Sequence, residues 1–227
     1  MIKKTEVFYI VYDGIVSLSV FDSQVMGFLV NLTKNKDINI NLIGFENMQV
    51  FFTQRKKMAE KEAGLHKLGI KTNFFPRIPG SPGLYINSVF LLLFLAGKMC
   101  MHTGRNVILH ARGTKSAFIG CIIRRFLHSV KVVYDARGIA PEEYACSLKL
   151  KRPPENFMKK REIRIFQWLK RIEEYSVKRS DIISCVSNSF KKYYMDSYNI
   201  EDIKVKVIPG GVDASVFNFS GKVRENM

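Results

Sequence analysis

Residues 106–135, NVILHARGTKSAFIGCIIRRFLHSVKVVYD, decide the fold. A short apolar run at 106–110 is followed by a segment with helical apolar spacing at 115–127, then by a second β-branched run at 131–135. Two strands joined through a helix lie parallel, and parallel strands need helices on both faces of their sheet. The same alternation continues outward. Toward the N-terminus the pattern predicts strands at 6–12, 38–45 and 71–75, the last ending at Pro76. It also predicts helices at 22–34 and 53–68, with Gly69 as the C-cap of the second. The run PGSPG at 79–83 reads as a loop, followed by a very apolar helix at 86–101. Toward the C-terminus, 136–154 reads as irregular, ending at a double proline, and 155–179 as a long basic helix. Then come a strand at 181–186, a helix at 187–198, and a strand at 204–208 closed by Pro209-Gly210-Gly211. The predicted class is α/β: a doubly wound, Rossmann-like domain over 1–208 with a mostly parallel sheet of about seven strands. Residues 209–227 read as a linker.

Composition narrows the partners. Apolar residues make up 47% of the chain, enough for a sizeable core. Lys and Arg number 36 against 20 Asp and Glu, a formal net charge of +16 that favours an anionic partner. Cys100, Cys121, Cys146 and Cys185 are scattered through apolar segments without a CxxC pair, so buried free thiols and a reducing, cytoplasmic setting are expected. No metal site is suggested. Nucleic acid is set aside, because basic and aromatic residues are not interleaved as in RNA-binding motifs and no helix-turn-helix or zinc pattern occurs. The apolar run at 86–101 reaches Lys98 before the ~20 residues of a membrane span, so a buried or surface-docked helix is expected.

Ligands of open parallel sheets bind at the carboxyl ends of the strands. Those positions hold Asp13 and Gly14, Gly44 to Glu46, His110 with Arg112 and Gly113, Asp135 with Arg137 and Gly138, and Ser187. The row suits a small, anionic, polyhydroxylated ligand. A plainer reading stands beside each. The glycines can serve tight turns, Ser187 can cap a helix, and His110 can be a core histidine. Asp135 and Arg137 can pair with each other, and Asp13 can find a partner likewise. GxGxxG, GxxxxGK[ST] and GxSxG are absent, which removes the signatures of dinucleotide, P-loop and hydrolase sites.

Three segments resemble the N-terminal domain of retaining glycosyltransferases of the GT-B fold, the family 4-like, group 1 type that includes sucrose-phosphate synthases and many lipid or polysaccharide transferases. They are Ile108-Leu109-His110-Ala111-Arg112, then Val133-Tyr134-Asp135-Ala136-Arg137-Gly138 with Glu142-Glu143, and the stretch from Glu173 to Phe217. The last contains Ser180-Asp181-Ile182-Ile183-Ser184-Cys185-Val186-Ser187 and Val207-Ile208-Pro209-Gly210-Gly211-Val212-Asp213. Gly210 stands where the family usually has Asn, and Asp13-Gly14 stands in place of a Gly-Gly pair.

The resemblance implies a two-domain enzyme that moves a sugar from a nucleotide-diphosphate-sugar to an acceptor hydroxyl with retention, in polysaccharide, glycolipid or other cell-surface glycan synthesis. His110 is the implied catalytic residue, beside the transferred sugar. Asp13, Gly14, Arg112, Asp135, Arg137, Gly138, Glu142 and Ser187 are the implied substrate-binding residues. The nucleotide-sugar is a co-substrate, and no cofactor or metal is called for. A glycan or lipid-linked acceptor is expected on this half and the donor on a C-terminal domain. The sequence ends 14 residues after Asp213, so that domain is expected to be missing, and the chain to be inactive alone as a fragment, a truncated product or half of a split enzyme. A non-catalytic interaction subunit of a split glycosyltransferase is the alternative. The basic helix at 155–179 and residues 90–95 make an anionic membrane surface a further partner, with peripheral placement on its inner face. A solvated face, with Glu162, Glu173 and Glu174 interspersed, is the plainer reading of that helix.

Overall fold

A computed structural model describes residues 4–100, 106–148 and 159–211. Seven strands form one sheet: β1 (Thr5–Val11), β2 (Ile38–Asn47), β3 (Lys71–Arg77), β4 (Val107–Arg112), β5 (Val130–Ala136), β6 (Ile182–Cys185) and β7 (Val205–Val207). All neighbours are parallel, in the order β3-β2-β1-β4-β5-β6-β7, the doubly wound α/β arrangement expected. The chain reverses direction across the sheet between β1 and β4, which opens a crevice at their carboxyl ends.

The helices are α1 (Gly27–Thr33), α2 (Met48–Thr53), α3 (Arg55–Lys67), α4 (Gly80–Cys100), α5 (Gly113–Phe126), α6 (Ala140–Ser147), α7 (Lys160–Arg179) and α8 (Asn188–Tyr198). A π-helical segment, Phe21–Met26, leads into α1. Strand alternation assigns the two faces. Phe8, Ile10, Tyr12, Leu109 and Val132 point to the face covered by α4, α5 and α7. Tyr9, Val11 and Leu42 point to the other, beneath α1 and α3. On the first face α8 extends the cover over β5, β6 and β7 through Tyr194, packed with Tyr134, Ile183 and Val205.

Four expectations change. The run at 79–83 is mostly helix: α4 starts at Gly80, whose φ of +78° suits glycine, and Pro82 sits in a first turn that needs no donor there. The stretch after β5 contains α6, opened by Pro141 and by Glu142 and Glu143, whose charges favour the positive end of a helix. Glu173 is not part of a solvated face but is fully buried. Cys121 and Cys185 are buried as expected, whereas Cys146 is exposed. The basic helix is seen from Lys160; the expected start at Glu155 lies outside the described residues, as do Val212, Asp213 and Phe217.

Candidate functional site

Strand register builds the centre of the site. Arg112 pairs with Asp135, and Asp135 with Ser184, so three polar side chains form one row across β4, β5 and β6. They lie on the α1 face, with Tyr9 and His110 paired one step below. Asp135 is buried and heavily engaged. Its Oδ2 accepts from Arg137 Nε at 2.9 Å and from the Tyr9 hydroxyl at 3.5 Å, and its Oδ1 accepts from the Ser184 hydroxyl at 3.2 Å. His110 Nε2 lies 3.7 Å from Oδ2, close enough for charge attraction but long for a hydrogen bond. Burial pushes the Asp135 carboxyl up, but His110 and Arg137 outweigh it and hold the group below its ordinary value. The Tyr9 hydroxyl is driven far up, first by burial and then by the Asp135 charge.

His110 is held as an aromatic as much as a base. Its ring stacks on Tyr9 with centroids 4.7 Å apart and tilts against Phe28 of α1 at 5.2 Å. Its buried Nε2 has no hydrogen-bond partner among the described residues, and neither has the buried Arg112 Nε. Arg112 instead gives a terminal N–H to Gln24 Oε1 at 2.6 Å, so the π-helical segment positions the guanidinium. Among the described residues this cluster thus keeps one imidazole nitrogen, 3.7 Å from the Asp135 carboxylate, and one guanidinium N–H without a hydrogen bond.

The β1 loop is fastened separately. The Glu46 carboxylate, fully buried near the end of β2, accepts the N–H groups of Ile15, Val16 and Ser17 at 2.8, 2.7 and 3.1 Å, and the Ser17 hydroxyl at 2.5 Å. Gly14 turns that loop with φ +125°, where a Cβ would strike Ser17 Oγ. These backbone donors are taken by Glu46, so they do not face a ligand. Asp13 stays near Lys115, at 3.8 Å, by the start of α5. Gly44 lies inside β2 rather than past it, making room for Ile15.

The remaining expected residues make other contacts. Gly138 leaves space for the Glu143 side chain, and its carbonyl accepts from the Tyr194 hydroxyl at 3.3 Å. Glu142 lies in the first turn of α6. Ser187 caps α8, accepting the Phe190 N–H at 3.3 Å. The structure therefore brings His110, Arg112, Asp135 and Arg137 together, sets Asp13 and Gly14 at the neighbouring loop, and shows Gly138 bonded to Tyr194, Glu142 in the first turn of α6 and Ser187 as the cap of α8.

On the other face, at the same carboxyl edge, opens a cleft of about 880 Å³. Tyr12, α2, the β3 end, α4 and α7 frame it. Among the described residues, Arg77, Lys115, Arg161 and Arg164 line it without any acidic side chain, and Trp168 supplies an aromatic wall. Arg77 is braced by donating to the Tyr12 carbonyl at 3.0 Å and by lying over the Tyr12 ring. Arg161 and Arg164 make no ion pair among the described residues. None of the catalytic or substrate-binding residues expected from the sequence lines this cleft, but Arg161 and Arg164 of the expected basic helix do. The legible signal was the spacing of Arg161, Arg164, Ile165 and Trp168, which places them on one helical face.

The sequence model of the family described as Glycosyltransferase Family 4 matches residues 48–216. Similar solved structures include the trehalose-6-phosphate phosphatase N-terminal domain of Candida albicans, at 12% identity and a TM-score of 0.56, covering 99% of this chain and 53% of that one. Anabaena HepE, in complex with UDP and glucose, matches at 14% identity and 0.52, covering 93% and 46%. UDP-GlcNAc 2-epimerase of Neisseria meningitidis, bound to UDP-GlcNAc, matches at 12% and 0.53, covering 89% and 46%. At these identities the likeness is one of fold, and the chain spans about half the length of each. No curated protein matches the sequence.

Proposed function

The chain belongs to Glycosyltransferase Family 4, and on that premise we propose that it is the acceptor-side half of a GT-B glycosyltransferase. The complete enzyme takes a sugar from a nucleotide-diphosphate-sugar and places it on an acceptor hydroxyl with retention, in the synthesis of a cell-surface glycan or glycolipid on the cytoplasmic side. The observation that carries this reading is the topological switch between β1 and β4, where His110 and Arg112 keep buried nitrogen atoms without a hydrogen bond among the described residues. Two of the fold neighbours hold UDP, glucose or UDP-GlcNAc, which agrees with a nucleotide-sugar donor.

In this reading His110 hydrogen-bonds the transferred sugar, its ring fixed by Tyr9 and Phe28 so that little reorganisation accompanies the reaction. Arg112 and Arg137 carry the positive charge that meets a phosphate or carboxylate, Arg137 being oriented by Asp135. No side chain here serves as a covalent nucleophile. The donor's diphosphate is held by a second, C-terminal domain. The test is kinetic: in the enzyme carrying both halves, His110→Ala lowers kcat/KM by about 100-fold, as expected for removing one aimed donor. The product keeps the donor's anomeric configuration. An unchanged kcat/KM would remove His110 from the mechanism, and an inverted product would remove retention.

A further inference from the structure

Helices α5 and α7 pack against each other, and each leads into a strand, α5 into β5 and α7 into β6. Both therefore end at the amino edge of the sheet, opposite the cluster and the cleft. Their last turns carry Arg124 and Arg125, and Lys178 and Arg179. Between them opens a second cavity of about 570 Å³, within the size range of small-ligand sites. The four cations line it together with His128 and the buried Cys121, and no carboxylate does so among the described residues. Arg161, at the other end of α7, lies about 27 Å away along the helix.

Basic residues in a last helical turn have an ordinary use: they complement the negative helix end and satisfy its final carbonyls. Here that use is already met. Arg124 donates to the Arg179 carbonyl at 2.6 Å, and Lys204 donates to the Lys178 carbonyl at 2.9 Å. The charge also exceeds what the helix ends can absorb. Six cations gather here: Arg124, Arg125, Lys131, Lys178, Arg179 and Lys204. Two carboxylates pair with them, Asp181 with Arg124 and Lys131 at 3.0 and 3.6 Å, and Glu174 with Lys178 at 2.6 Å. Six against two leaves an excess of four, and two helix ends supply only about one negative charge between them. The side chains of Arg125 and His128 make no hydrogen bond or ion pair among the described residues, and that of Arg179 only lies over the Tyr175 ring.

An excess of about three positive charges around a ligand-sized cavity is the complement of a compact polyanion. Condensed phosphates carry roughly three or more negative charges near neutral pH, because each terminal group ionises a second time around pH 6. A nucleotide-sugar has both ends of its diphosphate esterified and carries only about two, so it is the poorer match. Arginine forks also suit the oxygens of a terminal phosphate.

We propose that this cavity binds a condensed phosphate with a free terminal group, held by Arg125 and Arg179 with Lys178 and His128 beside them. The site is separate from the acceptor-side reading and uses none of its residues, so either can fail alone. Inorganic tripolyphosphate and the phosphate chain of a nucleoside triphosphate present the same chemistry.

Calorimetric titration of the chain with tripolyphosphate, at about 0.15 M salt to screen diffuse attraction, tests the site. Binding is saturable, one-to-one and at least about tenfold tighter than that of orthophosphate. Arg125→Gln with Arg179→Gln weakens it by about tenfold or more, since each arginine removes a charge-assisted hydrogen bond. Arg161→Ala with Arg164→Ala, at the far end of α7, leaves it within about twofold. In the unaltered chain, amide resonances at 124–129 and 177–181 move on titration and those at 161–168 do not, a readout that needs no variant. Adenosine triphosphate separates the two sources: binding no tighter than that of tripolyphosphate assigns the phosphate chain alone, and tighter binding assigns a nucleotide. Either result keeps the site. Absence of saturable binding, or no preference over orthophosphate, would overturn the proposal. So would resonances that move at 161–168 instead, or an equal loss of affinity in the Arg161 and Arg164 variant.

Discussion

The two sides of the sheet's carboxyl edge use arginine in opposite ways. On the α1 face, Arg137 lies 2.9 Å from a buried carboxylate and Arg112 is tied to Gln24, in a largely buried cluster. On the α4 face, Arg161 and Arg164 line an open cleft that has no carboxylate among the described residues. The closed side fixes geometry, because each group there is held by a neighbour. The open side leaves charge to be satisfied by a ligand. The charge of the cleft is thus the less compensated of the two among the described residues.

The strongest way to break this contrast is to open the closed side. Asp135→Ala leaves Arg137 and His110 without their shared partner and should cost about 3–5 kcal/mol in chemical denaturation. A cost below about 1 kcal/mol would mean that the cluster is no more constrained than an exposed pair.

Two fully buried carboxylates sharpen it next. Burial pushes Glu46 up, but the Ser17 hydroxyl and the N–H groups of Ile15, Ser17 and Val16 outweigh it, and its folded pKa falls below the ordinary value. Glu173 accepts from Ala140 N–H, Tyr193 and Tyr198 at 3.2, 3.3 and 2.6 Å, yet burial wins and its pKa is raised. The signs are opposite. Glu46 contributes stability that is present above the ordinary carboxylate range and lost as pH falls through its lowered pKa. Glu173 carries a penalty at neutral pH that is relieved as pH falls through its raised pKa. Glu46→Gln should therefore destabilise the domain by about 1–3 kcal/mol at pH 7, with less further loss in acid. Glu173→Gln should be at least as stable as wild type at pH 7, with its gain on acidification gone. Thermal midpoints across pH read both, and equal behaviour would erase the distinction.

The smallest effect belongs to the cleft. Arg161→Ala with Arg164→Ala should change stability by less than about 0.5 kcal/mol, since both side chains are exposed and without ion pairs among the described residues. A larger loss would mean that these arginines serve the fold.

How much of this could be read from the sequence follows the same division. The parallel sheet was legible because its strands are apolar on both faces, as at Phe8, Tyr9 and Ile10. The pairing of Asp135 with Arg137 and the cap at Ser187 were also open to sequence, since both are local. Tyr9, Gln24 and Ser184 were not, because strand register and a π-helical segment decide what they touch. Helix α6 escaped notice because eight residues opened by Pro141 carry almost no periodic signal. Glu173 looked like one more charge on a basic helix, and only the packing of α6 and α8 on α7 encloses it.

The central claim is the division of labour between an acceptor half and a donor half, and calorimetry tests it most directly. A panel of nucleoside diphosphate sugars would be titrated into this chain alone and into a form joined to a donor-binding domain. The account predicts no measurable heat of binding with the chain alone and saturable binding with the joined form. Tight binding to the chain alone would place the donor site here and contradict the assignment.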